Sequence, residues 1–161
     1  MRMYDFRKQL KSGKAQERYL DSLFADDFYI KEATREQERQ GIDRIFTKRA
    51  NGHKYTVQYK ADATAARTGN AFIETVSVDN RNIKGWAHTC TADYIFYYVV
   101  GVGPIYIVKP KDIRRKLAGW GRKYHTQPIP NKKYGKLIYN TIGLLVPLDE
   151  LERIAVQVVN I

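Results

Sequence analysis

The chain has 161 residues, 43% of them hydrophobic and 12% aromatic, which suits one globular domain with a real core and argues against a disordered chain. A net charge of +11 favours polyanionic partners, nucleic acid first and an acidic membrane surface second. One cysteine, Cys90, excludes an internal disulfide framework and a cysteine-based zinc site. No apolar run approaches the ~20 residues of a bilayer span and MRMYDFRKQLK is not a signal peptide, so no membrane partner and a cytoplasmic location are expected.

In chain order, residues 1–11 are basic with scattered aromatics and read as a short helix or an arm. Ser12 is the expected N-cap of an amphipathic helix over 13–25, whose Tyr19, Leu20, Leu23 and Phe24 recur at helical spacing. Glu17 borders that apolar stripe. Residues 26–40 are highly charged, and Thr34 with Gln37 forms a capping box for a short helix that Gly41 stops. Residues 42–47 and 54–60 then read as two strands joined by the turn Ala50-Asn51-Gly52. Alternation places Tyr55, Val57 and Tyr59 on one face and Thr56, Gln58 and Lys60 on the other. If the two strands pair, Asp43 lies beside Gln58 and Lys60, which groups a carboxylate, an amide oxygen and an ammonium.

Residues 61–70 form a polar loop, and 71–78 a strand with Phe72, Glu74, Val76 and Val78 on one face. A carboxylate there is costly to bury unpaired, so Glu74 is expected to meet either a lysine, such as Lys60, or a metal. Residues 79–92 are a loop leading into a further element, with Trp86 and His88 placed to touch a substrate. His88 has two meanings: a general base, or a surface residue. Residues 93–101 are a central strand covered on both faces, and 104–108 pairs with it. Pro110 opens a helix to about Leu117. Trp120 and Tyr124 interleave with Arg122 and Lys123, as on surfaces that touch sugar-phosphate and bases. Residues 125–136 read as a mobile Pro-rich loop, 137–146 as a strand, 147–151 as a helical turn, and 154–161 as a last strand at an edge or a dimer contact.

Residues 109–136 hold ten Lys or Arg against the single acid Asp112, which is +9 of the total +11. Charge this concentrated points to a phosphate-facing surface carrying Lys111, Arg114, Arg115, Lys116, Arg122, Lys123, Lys132 and Lys133, with the N-terminal arm adding to it.

Asp43 followed by Gln58-x-Lys60 resembles the PD-(D/E)xK nuclease superfamily, in the variant where Gln replaces the acid. KADATAARTGNAFIET is similar to phage and bacterial endonuclease-like members, in which Thr-Gly-Asn, an apolar stretch and a Glu follow the catalytic lysine. Gly85, Thr91, Ala92 and Asp93 match that pattern in order, and the likeness spans roughly Glu17 to Val108. It implies an α/β restriction-endonuclease-like core, a mixed sheet flanked by helices, in one domain over 1–161. It also implies a Mg²⁺-dependent DNA endonuclease, with Mn²⁺ able to substitute. Asp43 and Gln58 would hold the metal, together with the Tyr59 carbonyl. Glu17 would complete the set, as a first-helix Glu does in enzymes similar to archaeal Holliday-junction resolvases. Lys60 would act on the attacking water, Glu74 would be auxiliary, and Trp86, His88 and Thr91 would lie near the substrate. Gln in place of an acid removes a charge, so metal affinity leans on Glu17 and on bound DNA. Nothing resembles a base-reading helix, hence structure-selective cutting in a bacterium or phage-infected host, with a homodimer if junctions are cut. A non-catalytic binding protein on the same fold, and an RNA-directed protein, fit the charge equally well.

Overall fold

The computed structural model describes residues 3–161, and side chains from Gly13 onward. It is a mixed α/β structure with two sheets. Helix α1 spans Met3–Phe24, strand β1 Phe28–Glu32 and helix α2 Arg35–Arg39. Strands β2 (Arg44–Lys48) and β3 (Lys54–Asp62) follow as an antiparallel hairpin, with Gly52 at φ +74° in the turn. Helix α3 covers Ala65–Thr68, strand β4 Asn70–Val78, strand β5 Ile83–Lys84 and helix α4 Trp86–Thr89. Strands β6 (Tyr94–Val99) and β7 (Ile105–Val108) lead to helix α5 (Pro110–Lys123). Strands β8 (Thr126–Lys133) and β9 (Lys136–Pro147), helix α6 (Leu148–Ile154) and strand β10 (Gln157–Val159) end the chain.

The six-stranded sheet runs β1-β2-β3-β6-β7-β10 and is antiparallel throughout except for the parallel pair β3–β6. A parallel pair needs a long crossover. Here the crossover carries α3, β4, β5 and α4, and so delivers Glu74 and Trp86 to one face of β3. The second sheet, β5-β4-β9-β8, lies on that face. β6 is buried on both sides, as its unbroken apolar run predicts. Phe96 and Tyr98 join Leu20, Phe46, Val57 and Tyr59 under α1, whereas Ile95, Tyr97 and Val99 join Ile73, Trp86, Ile113, Leu144 and Leu151. The alternation read for β3 holds, with Val57 and Tyr59 toward α1.

Four expectations need correction. The first helix does not start at Ser12, which lies inside α1. No proline interrupts residues 3–11, and one Gly is tolerated at about 1 kcal/mol. The charged stretch 26–40 contains β1, paired in full with β2, with Phe28 and Ile30 packed into the cluster under α1. Residues 126–133 are a strand instead of a loop. β8 is a sheet edge, where Pro128 and Pro130 cost no ladder bond. Helix α5 extends past Leu117 to Lys123 because Ile113, Leu117 and Trp120 continue one buried face. β10 sits at the edge of the large sheet, as expected for the last strand. No helix among the described residues is long and apolar enough to cross a membrane.

Candidate functional site

The site forms where β2 leaves β3. Pairing runs to Arg44 opposite Val57, and the Asp43 backbone N–H still donates to the Val57 carbonyl at 2.8 Å. Beyond that point the chain turns away through Ile42 and Gly41, where φ is +81° and a Cβ would meet the Cys90 Cα at 3.0 Å. The Asp43 carboxylate takes over from the departed strand: its Oδ2 accepts from the Tyr59 N–H at 2.8 Å. Asp43 is thereby fixed against β3 between Gln58 and Lys60, as the hairpin spacing predicted.

Burial pushes the Asp43 carboxyl up from its ordinary value, against the Tyr59 N–H and the Lys60 charge, which pull it down. Glu74, on β4, feels the charge of the same lysine. Its carboxyl is also raised by burial, with Lys60 and the Trp86 backbone N–H opposing. Gly85 makes this approach possible, since a Cβ there would lie 2.4 Å from the Glu74 carbonyl oxygen. The Lys60 ammonium sits 5.5 Å from the centre of the Trp86 ring. Gln58 is 7% exposed, and its Oε1 is buried with no hydrogen-bond partner. A buried amide oxygen left without a donor costs about 1–3 kcal/mol. The Lys60 charge thus acts on two carboxylates that burial has raised, and the orphaned Gln58 oxygen is buried two residues before it on the same strand.

Glu17 is near enough for Asp43 to act on its charge, but its Oε2 accepts from Arg44 Nη2 at 3.3 Å. Burial is the main cause of its raised carboxyl, with Arg44 opposing. Among the described residues no three His, Cys, Asp or Glu side chains converge as a metal cage. Mg²⁺ does not require one, being commonly held by one or two carboxylates plus substrate phosphate and water.

Trp86 is buried at 8% exposure and so walls Lys60, where an exposed substrate contact was expected. Thr91 is exposed and tied to the Gln40 carbonyl through its N–H and its hydroxyl, both at 2.9 Å. His88 is exposed on α4 and does not join the cluster. Trp120, expected on a base-contacting surface, is instead core: its Nε1 donates to Glu150 Oε2 at 2.6 Å.

The basic residues Lys111, Arg114, Arg115, Lys116, Arg122 and Lys123 are exposed on α5, and Lys132 and Lys133 are exposed on β8. Lys54, Lys109, Lys111 and Arg114 line a cleft of about 520 Å³ whose floor includes Cys90 and Asp93. Arg114 Nη1 donates to the Cys90 carbonyl at 3.1 Å. Burial raises the Cys90 thiol, whose Sγ donates to the Gly41 carbonyl at 3.3 Å and so ties this cleft to the chain two residues before Asp43. The phosphate-binding role expected of the N-terminal arm falls on side chains outside the described residues.

The hairpin logic did not find Arg44, buried at 6%. Its signal was present, a charge one residue from Asp43 and directly before the apolar Ile45 and Phe46. Asp62 was missed as well: Tyr97 donates to its Oδ2 at 2.5 Å, while its Oδ1 accepts from the Thr64 and Ala65 N–H groups. No protein-family model matches the chain, and neither does any curated protein or solved structure.

Proposed function

We propose that this protein is a metal-dependent endodeoxyribonuclease of the PD-(D/E)xK type, with a restriction-endonuclease-like core built on β2, β3 and β6. The orphaned Gln58 Oε1, buried on the face of β3 that alternation also gives to Lys60, carries the proposal. Asp43, Gln58 and the Tyr59 carbonyl would hold Mg²⁺ or Mn²⁺, with Glu74 beside them and Glu17 held off by Arg44. When bound, the metal supplies positive charge against the phosphodiester and acidifies a water.

The chain's own groups do the positioning. The Asp43 carboxylate is fixed by the Tyr59 N–H and cannot swing away. The Lys60 ammonium, walled by Trp86 and balanced by Asp43 and Glu74, orients the attacking water through its N–H donors and opposes charge developing on phosphorus. The exposed cations of α5 and the adjoining cleft give the DNA backbone a place to lie.

The test is incubation with linear, nicked, flapped and four-way-junction DNA in Mg²⁺, with and without chelator. Cleavage of at least one substrate in Mg²⁺ alone is expected. Asp43→Ala and Lys60→Ala should each lower it by at least ~10²-fold with DNA binding largely retained. Absence of cleavage with any divalent metal, or cleavage at the wild-type rate by either variant, overturns the proposal.

A further inference from the structure

The β8–β9 hairpin is longer than the sheet that holds it. β4 pairs with β9 from Ile142 to Pro147, whereas β8 stays paired with β9 out to Lys133 opposite Lys136. Residues 129–141 therefore form a two-stranded ribbon beyond the sheet. Its base is fastened to the 3-10 turn Asp79–Arg81. Asp79 accepts from the Asn140 N–H at 2.9 Å and from its Nδ2 at 3.0 Å, and Asn80 Nδ2 donates to the Ile138 carbonyl at 2.8 Å. The tip is the two-residue turn Tyr134-Gly135, with φ of +53° and +76°, the geometry that suits the twist of a tight hairpin.

The composition of this ribbon makes no sense as a purely internal feature. Lys133 and Lys136 face each other directly, an arrangement that destabilises a hairpin, and no Asp or Glu occurs from Ile129 to Thr141. Tyr134 at the tip is 86% exposed, with the Lys133 ammonium 5.8 Å from its ring centre, and Leu137 and Ile138 are exposed behind it. Sheet extension by a second copy does not account for them, because Pro128, Pro130 and the lysines block the β8 edge.

We propose that residues 129–141 are an arm that enters the major groove of duplex DNA, with Lys133 and Lys136 on the backbone phosphates and Tyr134 in the groove. This deepens the nuclease reading and rests on nucleic acid being the substrate. The B-form major groove, about 12 Å wide, admits a two-stranded ribbon. The A-form groove of RNA is deep and narrow and closed to one. Gly143 lies opposite Glu74, so the arm begins close to the candidate site. From Gly143 to Gly135 the strand spans about 26 Å at ~3.3 Å per residue, less than the ~34 Å helical turn of DNA. The arm would grip the same turn of duplex that Lys60 addresses.

The experiment measures binding to one 30-base-pair sequence as duplex DNA, duplex RNA and single-stranded DNA, in chelator, across a salt series. The double variant Lys133→Ala/Lys136→Ala should weaken duplex DNA binding and lower the slope of log affinity on log salt by about 1.8. Tyr134→Ala should weaken duplex DNA binding with the slope kept. Both losses should be larger on duplex DNA than on the other two. Lys133→Gln/Lys136→Gln replaces the alanine pair should that unfold. Wild-type affinity and slope in these variants, or equal losses on all three nucleic acids, overturn the arm and leave the nuclease proposal intact. A protein that binds duplex DNA through the arm but cuts nothing supports the arm and sinks the nuclease. No binding of wild type to duplex DNA overturns both.

Discussion

Two polar clusters flank β3 on opposite faces, built from neighbouring residues, and they differ in one respect. Toward α1, the buried Arg44 donates through Nε to Asp21 at 3.1 Å, through Nη2 to Glu17 at 3.3 Å and through Nη1 to the Asp43 carbonyl at 3.0 Å. The Tyr59 hydroxyl closes that network by donating to Asp21 at 2.8 Å, and its own proton is held more firmly as a result of burial and that bond. Away from α1, burial raises the Asp43 and Glu74 carboxyls as it raises Glu17 in the first cluster, but Gln58 Oε1 has no donor at all. Residue type does not separate the two, since both contain acids, a cation and an aromatic. Satisfaction does. A network in which each buried group is matched stabilises the fold, whereas a group left short of a partner at a fixed position is waiting for one from outside.

The comparison breaks first at Arg44. Arg44→Ala leaves Asp21, Glu17 and Tyr59 without their common partner and should cost about 3 kcal/mol, since removing one member of a buried ion pair strands the rest. At this chain length ~1 kcal/mol moves the melting temperature by about 2–4 °C, so calorimetry should show a fall of about 6–12 °C. A fall under ~2 °C would mean that the α1 cluster is a solvated ion pair and the contrast is false.

Gly85→Ala attacks the other cluster through its scaffold. The new Cβ meets the Glu74 carbonyl at 2.4 Å, which is backbone and cannot rotate aside. A cost of about 2 kcal/mol is expected from forced displacement in a packed site, with cleavage reduced because Glu74 shifts from Lys60. Unchanged melting and unchanged cleavage together would show that Glu74 is not held by this approach. Gln58→Leu sharpens the contrast with the opposite sign. Replacing the orphaned amide by an apolar group of similar size should raise the melting temperature of the metal-free protein by the equivalent of about 1 kcal/mol while abolishing cleavage. Destabilisation would show that Gln58 Oε1 has a partner in solution.

The cluster was legible in the sequence to the extent that it depends on local periodicity. The β2–β3 hairpin, with Asp43 set against the Gln58–Lys60 side, follows from the period of two and a glycine turn. The capping box at Thr34 follows from spacing alone: Thr34 Oγ1 accepts from the Gln37 N–H at 3.2 Å, and Gln37 Oε1 accepts from the Thr34 N–H at 2.9 Å. What failed to show was set by distant partners. β8 reads as a loop because its prolines are acceptable only on an edge, and the edge exists only once β9 has paired. Trp120 reads as a surface aromatic among cations until Glu150, 30 residues on, supplies its acceptor. Arg44 gains its meaning only when α1 brings Asp21 and Glu17 across. Trp86 owes its place beside Lys60 to the crossover between two parallel strands, which no local pattern announces.

The smallest expected effect is also the most direct measure of the open cluster. Burial raises the Asp43 carboxyl above its ordinary value of 3.8, so the folded chain holds that proton more tightly than the unfolded chain. Stability from this group is therefore fully present below about pH 3.8, the unfolded value, and is lost as pH rises through the raised folded value. Asp43→Asn cannot ionise and still offers an oxygen to the Tyr59 N–H. In chelator, the variant and wild type should melt close together at the acid end, and the variant should melt higher at pH 7. Asp79 and Glu150, lowered by their hydrogen bonds to Asn140 and Trp120, tilt the profile the other way, but they do so equally in both proteins and drop out of the difference. Excess divalent metal should close the gap at pH 7 by stabilising wild type alone. A variant that melts below wild type at pH 7 in chelator would place Asp43 with Asp21 and Glu17, as a carboxylate the fold already satisfies, and the asymmetry between the two faces of β3 would lose its meaning.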